Sequence, residues 1–239
     1  MPAVEDTPLA AVGRIESEME LPNGFFQRLQ QEDDWSFIIK LHALFEAALT
    51  HVIVHKLGFD ALTEPLNRLE MSDTRRGKVA IANALGLLSS EEKGFLSILS
   101  KLRNDCAHDV RQAATFNLVS TCAAMSRDKQ TQLVKAICGS SGDERVEENG
   151  HTVTRREMVL RSPKYFLWVT GMYVLAVLCV QKETEDYRRS AEATRAKQLE
   201  LLLELREKET GVDPLREVLI HARATREKEK EGSQNNGPV

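Results

Sequence analysis

The sequence has few cysteines and few aromatic residues. Four cysteines, among 239 residues, stand at positions 106, 122, 138 and 179. They are too few and too far apart for a disulfide scaffold, and none forms a Cys-x-x-Cys pair, which excludes a zinc ribbon or a thioredoxin-like redox site. Seven prolines and thirteen glycines exclude collagenous or low-complexity character. With only 5% aromatic residues and many alanines, leucines and glutamates, the composition indicates an all-α protein.

The chain also lacks an excess of positive charge. Its formal net charge is −4, which excludes a nucleic-acid-binding protein that depends on overall positive charge but leaves room for a local basic site. Residues 1–20 are acidic and contain no apolar core of a signal peptide. We therefore expect a cytoplasmic protein.

Long hydrophobic runs are limited to residues 165–180. This run holds 16 residues, fewer than the ~20 that a membrane span requires. A short helix that is apolar all round is typical of the centre of a helical bundle. We expect such a bundle helix and no membrane partner, with a membrane span as the alternative.

The spacing of apolar residues predicts a bundle of five or six helices. The first long helix begins at Asp33 or Asp34, either of which can cap it, and ends at Gly58. Ser89 and Glu92 form a capping box that opens another strong helix.

Shorter elements lie around these two helices. Residues 60–70 and 76–88 predict short helices, and helical patterns resume over 113–137. Residues 139–150 form a break that is rich in Gly, Ser and Glu, where Asn149-Gly150 predicts the turn of a small hairpin.

The last helix starts at Ser162-Pro163 and meets no stop signal before Gly211, which predicts a length of about 70 Å. Its composition changes after Val180: residues 182–231 contain 12 basic and 13 acidic residues and a leucine patch without sustained heptads. This segment predicts either a helix that associates with a partner or a solvated single helix. The expected organisation is a flexible N-terminal arm (1–32), a helical bundle (33–181), a charged helical extension (182–231) and a disordered tail (232–239).

The most informative stretch is residues 99–109, Leu-Ser-Lys-Leu-Arg-Asn-Asp-Cys-Ala-His-Asp. At 100° per residue, Arg103 lies at the edge of the buried stripe of its helix, whereas Asn104 and His108 point away from it. These three side chains suit metal-independent phosphodiester cleavage: the imidazole transfers protons, the guanidinium stabilises phosphate charge, and the amide orients either group. In the alternative reading, Arg103 pairs with Asp105 or Asp109 and His108 merely ends the helix.

Four further basic residues are candidate RNA ligands: Arg75, Arg76, Lys78 and Lys101. The first three precede a predicted helix, whose N-terminus can hold a phosphate. In the alternative reading they are a solvated helix start. His51 and His55 have the spacing of a helical zinc half-site, but the glutamate of His-Glu-x-x-His and a third ligand are missing. We therefore expect no metal and no cofactor.

The Arg-Asn-x-x-x-His pattern at 103–108 resembles the Arg-x4-His signature of the HEPN superfamily. Residues 77–92, Gly-Lys-Val-Ala-Ile-Ala-Asn-Ala-Leu-Gly-Leu-Leu-Ser-Ser-Glu-Glu, followed by this motif, resemble the mannitol operon repressor family. The resemblance covers roughly residues 35–180. It implies an HEPN-like all-α bundle that dimerises so that the motif helices of two protomers form one RNA-cleaving site. The long, coiled-coil-like C-terminal extension, which is expected from the composition, lies outside the resemblance.

Carried over to this chain, the resemblance assigns catalytic roles to Arg103, Asn104 and His108. Many ribonuclease members have an aromatic residue two positions after the histidine, where this chain has Val110. Our leading expectation is a homodimeric HEPN-like protein that binds RNA, or cleaves it as a metal-independent endoribonuclease, in a toxin–antitoxin or defence system. The alternative is a non-catalytic transcriptional regulator that resembles the mannitol operon repressor and acts through protein partners at its C-terminal helices, since no helix-turn-helix element is evident.

Overall fold

The computed structural model describes residues 7–73, 75–107, 115–148 and 151–210. Within these ranges the all-α prediction is confirmed, because the chain forms ten α-helices and one small two-stranded sheet. The elements are α1 (Pro8–Glu18), α2 (Phe25–Arg28), α3 (Asp34–Leu57), α4 (Thr63–Asn67), α5 (Lys78–Ala84), α6 (Ser90–Ala107), α7 (Leu118–Ala123), α8 (Arg127–Cys138), β1 (Arg145–Glu148), β2 (His151–Thr154), α9 (Arg155–Arg161) and α10 (Pro163–Thr210).

The described residues contain more helices than the five or six expected. Five of the ten have only four to seven residues, which is too short to show a helical repeat of apolar positions. The chain divides into two units, Met1–Glu185 and Asp186–Val239. The first contains α1 to α9, the hairpin and the beginning of α10, and the described part of the second is residues 186–210.

Helix α3 runs through the core of the first unit. The Asp33 carboxylate caps it by accepting a hydrogen bond from the Ser36 N–H (2.9 Å). Hydrogen bonds from the Ser36 side chain and from this N–H lower the pKa of Asp33. Gly58 ends the helix with a φ of 70°, which a glycine adopts without strain. Both ends therefore lie where the sequence predicts them. Twelve of its side chains are buried: Phe37, Ile38, Leu41, His42, Leu44, Phe45, Ala48, Leu49, Thr50, Val52, Ile53 and Val54.

Helix α6 packs against α3 and carries the Arg-Asn motif. The predicted capping box is present, since the Ser89 N–H donates to Glu92 Oε2 (2.6 Å) and the Glu92 N–H donates to Ser89 Oγ (3.4 Å). The predicted stripe of Phe95, Leu99, Leu102 and Cys106 is buried. At the other end of α6, the Trp35 indole N–H donates to the Cys106 carbonyl (3.1 Å). These contacts fix the helix at both ends.

The N-terminal segment differs from the flexible arm expected over 1–32. Residues 8–18 form α1, and Ala11, Val12 and Ile15 are buried in the core. The carboxylate of the buried Glu16 accepts hydrogen bonds from the N–H groups of Phe26 (2.6 Å) and Gly24 (3.1 Å). The expectation of an arm was wrong for these residues, because their apolar stripe is short and is followed by acidic residues at 16, 18 and 20.

Three other segments refine the expected elements. A 3₁₀ turn and α4 replace the single helix predicted over 60–70. The helical patterns predicted over 113–137 correspond to two helices, α7 and α8, while residues 113 and 114 lie outside the described residues. The hairpin is confirmed: β1 and β2 pair antiparallel with Arg145 opposite Thr154. The turn residues Asn149 and Gly150 lie outside the described residues.

Helix α10 begins at Pro163, as predicted, and continues for 48 residues. Gly171 lies against the core, where an added Cβ atom would be 3.5–3.6 Å from Leu41, Phe26 and Phe45. Helices α3 and α10 are both long and apolar enough to cross a membrane, with 67% and 39% of their most apolar windows buried. Length and composition alone give this result, and the core helix of a soluble protein satisfies the same criterion.

The described part of the second unit, residues 186–210, is one helical segment. Arg188 and Glu192 form an ion pair along it (3.0 Å). Five of its large apolar side chains are exposed by 55–79%: Tyr187, Leu199, Leu201, Leu202 and Leu205.

Candidate functional site

Arg103 and Asn104 meet on the accessible side of α6. The half-buried Arg103 donates a hydrogen bond from Nη1 to Oδ1 of the exposed Asn104 (3.0 Å). None of the described carboxylates, including that of Asp105, forms an ion pair with Arg103, so the alternative Arg103–Asp105 pairing is not found. His108 and Asp109, the other residues of the motif, lie outside the described residues.

A buried histidine that sequence reasoning missed lies behind this pair. His42, on α3, is 4% exposed, and its Nε2 atom lies 3.3 Å from the Ser100 hydroxyl oxygen on α6. The same hydroxyl donates to the Leu96 carbonyl (3.0 Å), so it accepts from a protonated Nε2. The Glu46 carboxylate lies 3.7 Å from Nδ1 on the other side of the ring.

The pKa of His42 is lowered to about 4. Burial is the largest cause, and the positive charges of Arg103 and Lys78 add to it. The imidazole is therefore neutral at pH 7. The His42 ring near Arg103 therefore carries no positive charge that would repel the guanidinium. The sequence signal for this cluster is the i, i+4 spacing of His42 and Glu46, both of which lie among the apolar residues of α3.

Lys78 was predicted as an RNA ligand, and the structure corrects that assignment. Its side chain is buried, with 3% exposure, and Nζ donates to the backbone carbonyl of Glu46 (3.3 Å). Burial lowers the pKa of Lys78, against the opposing effect of the Glu46 charge. The Gly77 residue that precedes Lys78 packs onto the loop backbone, where an added Cβ atom would lie 2.6 Å from Asp73. Lys78 is not available to a ligand at the surface.

The side chains of Arg75 and Arg76 are exposed, as an RNA ligand requires. Their backbone N–H groups, however, both donate to Oδ1 of Asp73 (2.8 Å each), and these bonds lower the pKa of that carboxyl. An aspartate thus occupies amide groups that were expected to hold a phosphate. The predicted phosphate site at this helix start is therefore already filled by the protein itself.

Lys101, the fourth predicted ligand, lies in a groove between α6 and α8. Two adjoining pockets of about 410 and 280 Å³ form this groove and share Ile98, Lys101 and Gln132. Lys101 precedes Asn104 by three residues, so the two side chains are neighbours along α6. The structure therefore groups Lys101 with the Arg103–Asn104 pair and places Arg75 and Arg76 in the loop before α5.

The described residues offer neither a metal cluster nor an activated thiol. They contain no group of three or more His, Cys, Asp or Glu side chains that could hold a metal ion, and His51 lies 3.1 Å from the Glu18 carboxylate. The four cysteines are free thiols. Burial raises the pKa of Cys106 to about 12 and those of Cys122 and Cys179 to about 11. These three thiols are therefore protonated at neutral pH and are poor nucleophiles.

Fold and site together define an all-α protein that presents an arginine–asparagine pair on the exposed side of a core helix. No protein-family model, curated protein or solved structure matches this chain. The resemblance based on the Arg-Asn-x-x-x-His pattern therefore stays a prediction from the sequence.

Proposed function

We propose that the protein is an HEPN-like RNA-binding protein that cleaves RNA without a metal ion, in a homodimer whose α6 helices meet. The observation that carries this proposal is the Arg103–Asn104 pair, which is held at 3.0 Å without a described carboxylate to neutralise the guanidinium. A guanidinium that is not committed to an ion pair can bind phosphate oxygens through two parallel hydrogen bonds. The Asn104 amide oxygen accepts from Nη1 and so orients the guanidinium.

The reaction that suits these groups is transfer of the RNA phosphate to its own 2′-oxygen. The 2′-oxygen attacks phosphorus and the bond to the 5′-oxygen breaks, which leaves a 2′,3′-cyclic phosphate and a 5′-hydroxyl. One group must take the 2′-hydroxyl proton and another must give a proton to the 5′-oxygen, and the histidines of two protomers, His108 in each, supply both. Arg103 stabilises the charge that develops on the phosphorus oxygens. The role of His108 comes from the sequence motif.

Cleavage of a labelled single-stranded RNA in EDTA tests this proposal. We expect wild-type protein to yield 2′,3′-cyclic phosphate ends, His108→Ala to abolish the activity, and Arg103→Gln to reduce it by 100-fold or more, as loss of one charge-stabilising donor does. His151→Ala is the matched control, because His151 is exposed on β2 and belongs to no proposed site. Equal cleavage by wild type and His108→Ala, or cleavage by neither, contradicts the proposal.

A second candidate function, regulation through a protein partner, is favoured by the exposed leucines of residues 186–210. Contiguous exposed apolar side chains mark interaction surfaces. In the full-length protein, Leu202→Ser with Leu205→Ser should abolish self-association or partner binding in sedimentation velocity, whereas the exposed alanines replaced in Ala193→Ser with Ala196→Ser should not. Loss of association in the absence of any RNA cleavage would favour this function over the first.

A further inference from the structure

The groove between α6 and α8 extends along most of α6. At one end Ser90 of α6 lies near Gly139, which follows α8, and at the other end Asp105 lies near Met125, which precedes α8. The two helices are therefore antiparallel. From Ser90 to Asp105 the groove is about 22 Å long, at 1.5 Å per residue.

Three lysines, the groove lysines, line this groove: Lys101 on α6 and Lys129 and Lys135 on α8. All three are exposed, and none forms an ion pair with any described residue. Two carboxylates also line it, one near each end. Glu91, at the Ser90 end, accepts a hydrogen bond from the Ser90 hydroxyl (2.9 Å), while Asp105 lies at the other end. The lysines therefore outnumber the carboxylates, and Lys101 lies in the stretch that the two pockets share.

The floor of the groove admits an extended chain. Small residues line the Ser90 end of the groove, where an added Cβ atom on Gly94 would lie 3.9 Å from the Ala136 Cβ atom, so the two helices pack closely there. Larger apolar side chains, among them Leu102 and Met125, line the other end. Packed helices have axes about 8–10 Å apart, and the groove between them is narrower than a nucleic-acid duplex. None of the described residues that line the two pockets is aromatic, so stacking of bases contributes little. An occupant held by this groove is therefore extended and is bound through its charges.

We propose that the groove binds the sugar–phosphate backbone of single-stranded RNA through the groove lysines and leads it to Arg103 and Asn104. This inference rests on the proposed function. Neither Arg103 nor Asn104 lines the groove, but Lys101, which does, is a neighbour of Asn104 along α6. RNA is favoured over an acidic peptide because a chain that leaves the groove at Lys101 reaches the arginine–asparagine pair. Binding of this kind is dominated by counterion release and depends strongly on salt.

The test measures binding of a fluorescein-labelled oligouridylate to full-length His108→Ala protein, which keeps the RNA intact, between 50 and 300 mM KCl. Each phosphate contact contributes about 0.7 to the slope of log K against log salt for single strands. Replacing the groove lysines in Lys101→Gln/Lys129→Gln/Lys135→Gln should reduce that slope by about 2 and weaken binding about 100-fold at 100 mM salt. Replacing the same three by arginine should retain both slope and affinity.

The matched control removes three cations from the second unit: Arg195→Gln/Lys197→Gln/Lys208→Gln, all exposed. We expect its affinity to stay within threefold of the parent protein. If the triple glutamine variant of the groove lysines binds RNA with the affinity of this control, the groove assignment is wrong while the proposed function stands. If the parent binds no RNA, both are wrong, and binding of an oligoglutamate peptide in its place would assign the groove to an acidic protein partner.

Discussion

Acidification should destabilise the protein through His42. The unfolded chain takes up a proton on this residue near pH 6.5, whereas the folded protein resists protonation down to about pH 4, because the ring is buried and faces the charges of Arg103 and Lys78. Between these two values the unfolded state holds a proton that the folded state lacks. His42 therefore makes its full contribution to the free energy of unfolding above pH 6.5. This contribution falls as the pH drops from 6.5 towards 4, and it changes no further below pH 4.

The magnitude follows from the two pKa values. The difference between 6.5 and about 4, at 1.36 kcal/mol for each pH unit, amounts to about 3 kcal/mol of unfolding free energy. This is a large share of the 5–15 kcal/mol that holds typical domains folded. His42 alone should therefore shift the urea midpoint visibly between pH 7 and pH 4.

Urea unfolding followed by circular dichroism, at pH 7, 5.5 and 4, measures this loss. His42→Gln keeps an N–H group that can donate to the Ser100 hydroxyl but cannot take up a proton, so its stability should fall by about 3 kcal/mol less than that of the wild type over this range. His151→Gln, an exposed position on β2, should follow the wild type. A His42→Gln profile parallel to the wild-type profile refutes the reasoning. In a second check, Arg103→Gln should raise the pKa of His42 in NMR titration, because it removes a positive charge that lowers it.

Three further changes test the packing. Gly77→Ala should destabilise the protein by about 1–3 kcal/mol in urea unfolding, because its Cβ atom would lie 2.6 Å from the Asp73 backbone. Gly13→Ala, whose Cβ atom would meet no atom within 4 Å, should stabilise α1 by about 0.5–1 kcal/mol. Equal effects of the two substitutions would contradict the local geometry. Glu16→Ala should cost about 2–4 kcal/mol, because two backbone N–H groups lose their acceptor, and an unchanged midpoint would show that water replaces the carboxylate. Cys106 should react with Ellman's reagent only upon unfolding, since its thiol is buried and has a pKa of about 12; rapid labelling of the native protein would contradict this.

Features set by a few adjacent residues were predictable from the sequence. The N-cap Asp33, the C-cap Gly58 and the Ser89–Glu92 capping box all lie within one or two helical turns of the residues that they bond. The start of α10 at Pro163 is of the same kind, because proline at the first helical position needs no partner elsewhere in the chain. Such signals do not depend on how the helices pack together.

Features that depend on the pairing of distant helices were not predictable in the same way. Lys78 has the sequence context of a solvated helix start, yet it is buried because α5 packs on α3, 32 residues away at Glu46. His42 contacts Ser100 across 58 residues, and no periodic pattern relates the two. The polar cluster behind Arg103 exists only once α3 and α6 are packed together.

The same reasoning explains how a chain with a net charge of −4 forms a local basic groove. Lys101 is separated from Lys129 and Lys135 by 28 and 34 residues. No short segment of the sequence therefore contains all three lysines or stands out as basic. The antiparallel packing of α6 and α8 brings them to one groove, and the carboxylates among the described residues that line it are Glu91 and Asp105. The electrostatic attraction of exposed charges such as these lysines extends about 10 Å at 0.1 M salt, and this distance is shorter than the groove. A phosphate backbone in the groove therefore responds to these few side chains and not to the average charge of the chain.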